Sequence, residues 1–489
     1  MKSTSLARFF PRLQDIFFVA LFAAALSLGQ RMLNLDGDLP RHLVMGRYIL
    51  QNRIIPTTEL FIYPYLHQSY VPHEWLTNVL FYAVYSFTGL AGIVLLSALL
   101  LAIPFYLLYS HLSEKFQLRL PVLLLVAWGA AATSLNWAAR PHLVSMCLLA
   151  IWLIWADDLR SGKEIRIWRF PLLMLFWSNL HGEFIAGILV LFAYSVGWIV
   201  DWFLDRSHAD SQVGRHLWLA FLASAAISLI NPSGIGPWAS MLGFVNNQYL
   251  MSRMVEANAP DFQTPEMRVL LALLVFSIFL LAIKRERISA GQGLLLAGFS
   301  AMSLMAVRNI HLYGVVAPFV LAGTLSELKN FRIVNRIEST LQNMEAKTSG
   351  LAWVVISVLV FGSSALFSHT AQQMYQFQGS AFPVEAVRWL ESHPQQGRML
   401  NNLNWGGYLE LYLWPAQMPF IDSMSDTTGQ VTRQYEDMVN VQGTWQDLLE
   451  QYEITWVILP PDWPLARELA VRGWEAVYQD QTAIILVRK

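Results

Sequence analysis

Apolar residues recur along this chain in long runs, parted by short polar turns. Eleven runs have membrane-crossing character, at 15–34, 89–111, 119–136, 141–158, 168–181, 183–205, 216–231, 268–284, 290–306, 309–326 and 351–368. A crossing helix needs about 20 mostly apolar residues, because hydrocarbon leaves no backbone polar group a partner outside the helix. The runs 168–181 and 216–231 are short by that measure, so the number of crossings is about eleven. After residue 375 the apolar runs shorten, and Pro, Gly, Asn and Asp return. "PVEAVRWLESHP" has helical spacing with Pro383 near its start, and "PLARELAVRG" reads as a helix stopped by Gly473. "ITWVILP", "WEAVYQD" and "TAIILVRK" read as strands. The pattern predicts a polytopic α-helical membrane domain over 1–370, with an outer loop at 35–88. A small C-terminal α/β domain follows over 375–489, large enough for its own core.

Charge placement orients the runs. Lys2, Lys115, Lys163, Lys284, Lys329 and Lys347 all fall on the side of the N-terminus, with most of the arginines. The other side carries Arg31, Arg41, Arg47, Arg53, Arg140, Arg253, Arg268 and Arg308, and no lysine before Lys489. This is the positive-inside bias, so the N-terminus is expected in the cytoplasm of an integral plasma (inner) membrane protein. An odd number of crossings then puts the tail outside. The run from Ile16 to Leu28 follows Lys2, Arg8 and Arg12, and "AAALS" loosely resembles a signal cleavage site. The polar stretch after it reads as functional, which favours a retained anchor.

Composition agrees. The 489 residues are 55% hydrophobic and 14% charged, against about 25% charged in soluble proteins. A net charge of −1 implies no nucleic-acid partner. The single cysteine, Cys147, excludes an intrachain disulfide and a cysteine metal cluster.

With the orientation set, the unusual polar residues collect on the outer side. Asp36, Asp38 and His42 follow the first run, and His73 and Glu74 close the first outer loop. Asn136, Arg140 and His142 lie in one outer turn, and Asn179, His181 and Glu183 in another. Asn231 and Glu256 follow, then Arg308, Asn309 and His311. Ionisable groups beside hydrocarbon are costly, so they usually face a wet cavity and mark a site. The competing reading makes each a helix cap or a snorkelling end. Acids beside histidines and arginines suit a phosphate-bearing substrate. A carboxylate can deprotonate a hydroxyl or hold a divalent cation such as Mg or Mn, and arginine forks match phosphate oxygens. A group donor outside the cytoplasm has no nucleotide supply and must arrive on a carrier, for which a lipid phosphate is suited.

"DGDLPRHLVMGRYILQNRIIPTTELFIYPYLHQSYVPHEWL" resembles the first outer loop of a group of uncharacterised bacterial polytopic membrane proteins. "ARPHL", "NLHGEF", "NPSG" and "WGGYL…FID" match the later landmarks of that group. The group is similar in plan to GT-C fold glycosyltransferases, which use polyprenyl-phosphate sugars. The resemblance implies that an acid of the first outer loop is catalytic, as base or metal ligand, a role that falls to Asp36 or Asp38. It leaves open which, because Gly37 stands where the group generally has aromatic residues. "FIDSMSD" lacks the arginine that more often follows the acid. "WGGYL" also resembles the acceptor-recognition motif of the oligosaccharyltransferase catalytic subunit, a match read as coincidence.

The expected function is transfer of a sugar from a polyprenyl-phosphate donor to an unknown extracytoplasmic acceptor. Asp36 and Asp38 are the candidate catalytic and metal-binding residues. His42, His73, Glu74, Arg140, His181, Glu183, Arg308 and His311 are candidates for substrate binding. The alternative is a non-catalytic lipid-binding, transport or envelope-assembly protein on the same scaffold. Among the secondary readings, Glu74 caps the helix 74–87, Asp38 caps a helix beginning at Pro40 or makes an Asx turn before it, and Gly406–Gly407 forms a turn. Asp422 and Asp426 read as loop acids, and Trp405 and Tyr408 as core.

Overall fold

The computed structural model describes residues 10–163, 166–204, 210–284, 288–346, 348, 352–424 and 429–489. Lys2, Arg8, Lys347 and Asp426, and Arg206, Arg285 and Arg287 among the arginines on the N-terminal side, lie outside the described residues.

Helix occupies each of the eleven apolar stretches. Five helices are long and apolar enough to cross a bilayer: Trp75–Phe116, His142–Arg160, Phe184–Phe203, Pro265–Ile283 and Val307–Asn330. Leu13–Ser27, Leu120–Ala132, Ala290–Met305 and Ala352–Phe367 are shorter apolar helices. The two short runs appear as Arg169–Leu180 and Ser211–Ile227. Pro265–Ile283 shows why such helices need lipid. Leu270, Leu273 and Leu274 are buried against the bundle, while Val275, Ile278 and Phe279 stand exposed on the opposite face. A helix apolar all round needs an apolar solvent.

Trp75–Phe116 has 42 residues, about 63 Å of helix against a hydrocarbon core of about 30 Å. It is broken at Gly89 (φ 63°, ψ −159°), where the sequence predicted the run to begin. The part before Gly89 therefore belongs to the segment that joins the first two apolar runs, where it packs against the helix Asp38–Asn52. That helix begins at Asp38, not at Pro40. The Asx turn before it is made by Asp36, whose Oδ1 accepts the Asp38 N–H at 3.0 Å.

The two ends of the bundle hold different charges. Lys115 pairs with Asp157, and Arg160 with Asp157 at 2.9 Å. The Arg12 guanidinium donates to the Thr348 carbonyl at 2.9 Å. Glu338 accepts the Arg119 and Leu120 N–H groups at the start of Leu120–Ala132, as an acid at a helix N-terminus should. Glu74 and Arg140 lie just before the opposite ends of the helices that carry Lys115 and Arg160.

The tail contains a four-stranded sheet. Its strands are β1 (Arg398–Asn401), β2 (Ile454–Leu459), β3 (Glu475–Gln479) and β4 (Ile484–Val487), in the order β1-β2-β4-β3. β1 and β2 are parallel, and the other pairs are antiparallel. The expected strands are β2, β3 and β4. The expected helices are Val384–Ser392 and Pro464–Val471. Alternate residues serve two cores, as the pleat requires. Met399, Trp456, Ile458 and Ile485 join the main core, while Leu400, Val457, Leu459 and Leu486 line a second one.

One buried cluster fastens the tail to the segment 35–88. The Arg41 guanidinium donates to both carboxylate oxygens of Glu59 (3.0 and 2.9 Å) and to Glu410 (3.0 Å). Its Nε lies 3.2 Å from Asp422. All four side chains are buried, and the ring of Phe61 lies 4.3 Å beneath the guanidinium. Asp422 is thus an ion-pair partner and not a loop acid. Gly406 and Gly407 are likewise not a turn. They open the helix Gly406–Leu413, and a Cβ on Gly407 would come within 2.7 Å of the Gly37 carbonyl. Absence of a side chain lets this helix sit close enough for Glu410 to reach Arg41.

Candidate functional site

The turns at Asp36–Asp38, Arg140, His181–Glu183, Glu256 and Arg308 converge at one end of the bundle. The Asp36–Gly37–Asp38 turn sits before the helix Asp38–Asn52, and Arg140 reaches it from the turn between Leu120–Ala132 and His142–Arg160. Arg140 pairs with Asp38 and with Glu256 (2.7 Å), and lies 3.5 Å from Asp36. Asp38 is buried, and its other oxygen accepts the Ser423 hydroxyl of the tail. Arg308 stands at the rim, 4.0 Å from the second oxygen of Glu256. Glu256 rides on the turn Val255–Ala257, which is tied to the Arg308 turn by the Val307 N–H donating to the Asn258 carbonyl at 3.0 Å.

Beside this group runs a chain of histidines and acids. Glu74 lies 3.2 Å from His181, 3.6 Å from His73 and 3.7 Å from His42. Glu183 lies 3.4 Å from His181 and 3.0 Å from His311. The rings of His311 and His142 are 5.0 Å apart. His42 is held by Asn78 at 2.8 Å, and His181 by the Ser145 hydroxyl at 2.9 Å. Glu74 occupies a cap position, yet makes no side-chain capping bond; its carboxylate turns to the histidines. Trp75 donates to Asn179 (2.8 Å) and Thr77 to the Leu180 carbonyl (2.6 Å), which locks the outer helix against the turn that carries His181 and Glu183.

Charge in the site follows from these contacts. Burial alone would raise Glu183, but His311 and His181 hold it well below the usual carboxylate range. Glu74 is lowered against its burial by His73, His181 and His42. His181 is lifted against its burial by Glu183 and Glu74, to about 9. Burial lowers His42, against the pull of Glu74. Burial raises Asp36, with Glu256 adding to the rise and Arg140 opposing it. The His181 shift makes a prediction. A histidine whose native pKa lies above its free value contributes stability in full below about pH 6.5, which is lost as pH rises through about 9. Melting temperature should therefore fall between those pH values in the parent protein and less so in His181→Gln. The difference should be on the order of 1–3 kcal/mol.

Every candidate named from the sequence lies in this arrangement: Asp36, Asp38, Arg140 and Arg308 in one half, and His42, His73, Glu74, His181, Glu183 and His311 in the other. The outer amides serve local structure. Asn231 bonds its own turn, Asn309 bonds the Met302 carbonyl, and Asn179 also holds the carbonyls of Leu175 and Ile230. Glu256 and Ser423 had no assigned role. Glu256 was visible as an outer acid, whereas nothing in the sequence marks Ser423. As arranged, Asp36 and Asp38 hold a guanidinium, and a divalent cation there would have to displace Arg140. The one group of His and acids with cation-holding spacing among the described residues is His111, Asp157 and Asp158. It lies at the other end of the bundle, where Lys115 and Arg160 already neutralise Asp157.

No protein-family model matches the sequence, and no curated protein matches it. Solved structures do. The apo form of the Archaeoglobus fulgidus oligosaccharyltransferase aligns with 90% of this chain and 69% of its own, at a TM-score of 0.53 and 11% identity. The oligosaccharyltransferase AglB from the same archaeon, in complex with an inhibitory peptide and a dolichol-phosphate, covers the same shares at a TM-score of 0.54 and 10% identity. This chain adopts the GT-C fold. At such identity the likeness is one of architecture. "WGGYL" adds nothing to it, because Trp405 and Tyr408 are buried. Trp405 donates to the Ala381 carbonyl at 3.0 Å, and Tyr408 stacks on Phe382.

Proposed function

We propose that this protein is a membrane glycosyltransferase that moves a sugar from a polyprenyl-phosphate donor to an acceptor outside the cytoplasm, at the turn Asp36–Gly37–Asp38. The observation that carries the reading is the meeting of that turn with Arg140 beside a GT-C bundle. Asp36 acts as the base. It is the more exposed acid of the pair, and its raised proton affinity suits proton abstraction near neutral pH. Asp38, held by Arg140 and Ser423, positions the guanidinium. The acceptor oxygen attacks the anomeric carbon, its proton passes to Asp36, and the bond from that carbon to the phosphate oxygen breaks. Arg140 and Arg308 take up the charge left on the lipid phosphate. The histidine–acid chain fixes the wall of the pocket. We further infer about eleven crossings, a cytoplasmic N-terminus and an outer tail. A transporter would place its polar groups at mid-depth, whereas these cluster in the outer turns.

Glu256 occupies Arg140 and faces Arg308 where a phosphate would bind, so donor binding must displace it. Glu256→Gln is expected to bind a polyprenyl phosphate roughly two- to five-fold more tightly, the range of a partly exposed ion pair, as titration in nanodiscs would show. The test of the function is mass analysis of envelope glycans and lipids from cells carrying the parent protein or the Asp36→Ala, Asp38→Ala double variant. Loss of a glycan or build-up of a lipid-linked sugar supports the reading. An unchanged profile at normal expression refutes it.

A further inference from the structure

A recess of about 520 Å³ lies in the tail, within the roughly 300–1,000 Å³ that holds small ligands. It opens past the carboxyl ends of the parallel strands β1 and β2, since Asn402, Asn404 and Trp405 follow β1 and Pro460 follows β2. The β3–β4 turn closes it with Gln481 and Thr482. No charged residue is among its lining residues, although a dense charge cluster lies next door. The two are in contact: a Cβ on Gly37 would meet the Asn404 carbonyl at 2.3 Å.

The polar groups of the lining divide into two kinds. Some are committed to the fold. The Asn402 side-chain oxygen accepts the Asn404 N–H at 2.8 Å, the Thr482 hydroxyl donates to the Gly379 carbonyl, and the Trp405 N–H is taken by Ala381. The others are open. The Asn404 and Gln481 amides and the Ser380 hydroxyl make no hydrogen bond to the protein among the described residues, and all three are exposed in the recess. Each amide offers two donors and a carbonyl acceptor, and the hydroxyl offers both kinds. An uncharged set of paired donors and acceptors matches adjacent hydroxyls on a sugar ring and has little to offer an anion or a cation.

We propose that this recess is a binding subsite for a neutral saccharide, set back to back with the Asp36–Gly37–Asp38 turn. The proposed transferase reading bears only on which saccharide arrives there: the sugar of the lipid donor or the glycan of the acceptor.

The test is saturation-transfer NMR on the purified full chain in nanodiscs, with maltotriose, mannotriose and chitotriose as probes. At least one probe should receive transfer from the parent protein. The signal should drop several-fold in the Asn404→Ala, Gln481→Ala double variant and in Ser380→Trp, which fills the recess from an exposed position. It should persist in the Asp36→Asn, Asp38→Asn variant, so that failure of the subsite and failure of the transferase reading stay distinct. A polyprenyl-phosphate sugar that displaces the probe assigns the subsite to the donor; one that leaves the probe bound assigns it to the acceptor. Absence of transfer from the parent protein to every probe overturns the proposal. So does equal transfer in both recess variants at parental melting temperature.

Discussion

Arg41→Ala should cost about 3–5 kcal/mol of stability, because it strands buried carboxylates that one guanidinium now serves. The four groups come from distant parts of the chain: Arg41 from the outer helix, Glu59 from the loop after it, Glu410 and Asp422 from the tail. Burial raises Glu410 far above the usual carboxylate range against the pull of Arg41, with Asp422 and Glu59 adding to the rise. Losing Arg41 should loosen the tail from the bundle, and limited proteolysis between residues 375 and 400 should become faster. Glu410→Gln keeps the side chain's shape and an oxygen acceptor for Arg41, and should leave proteolysis near the parental rate. A stable, protease-resistant Arg41→Ala protein would mean that the cluster contributes little to docking.

Asp36→Asn should lower sugar transfer by about 10²–10⁴-fold, the usual contribution of a positioned general base. Binding of the lipid phosphate should change little, since Asp38 still positions Arg140. Because burial raises Asp36, parental activity should fall on acidification at a higher pH than a free aspartate would dictate, and that limb should vanish from the residual activity of Asp36→Asn. Asp38→Asn should act differently. It releases Arg140, so donor affinity should fall together with rate.

The contrast between these two sets of residues explains what the sequence could disclose. Helices such as Pro265–Ile283 and Phe184–Phe203 were legible because hydrocarbon imposes length and apolarity locally. The outer turns were legible because Arg140, His181, Glu183 and Arg308 interrupt apolar helix at a single side, and burying charge there is costly. The Arg41 cluster was not, since its partners Glu410 and Asp422 lie 369 and 381 positions away, and a lone acid in "YLELYLW" has no periodicity. Gly406–Gly407 resembled a turn because close helix packing and sharp chain reversal both select glycine. β1 has four residues, too few for alternation to show. The Asp36–Asp38 pair was visible as "DGD", but their different environments come from Arg140 and Ser423 and had to be seen in three dimensions.

The direct measurement is native mass spectrometry of the purified protein released from nanodiscs that contain a polyprenyl monophosphate. The parent protein should retain one such lipid, and Arg140→Ala combined with Arg308→Ala should lose it while keeping its fold. Equal retention by the two proteins, or none by the parent, would contradict a lipid-phosphate site at the outer turns.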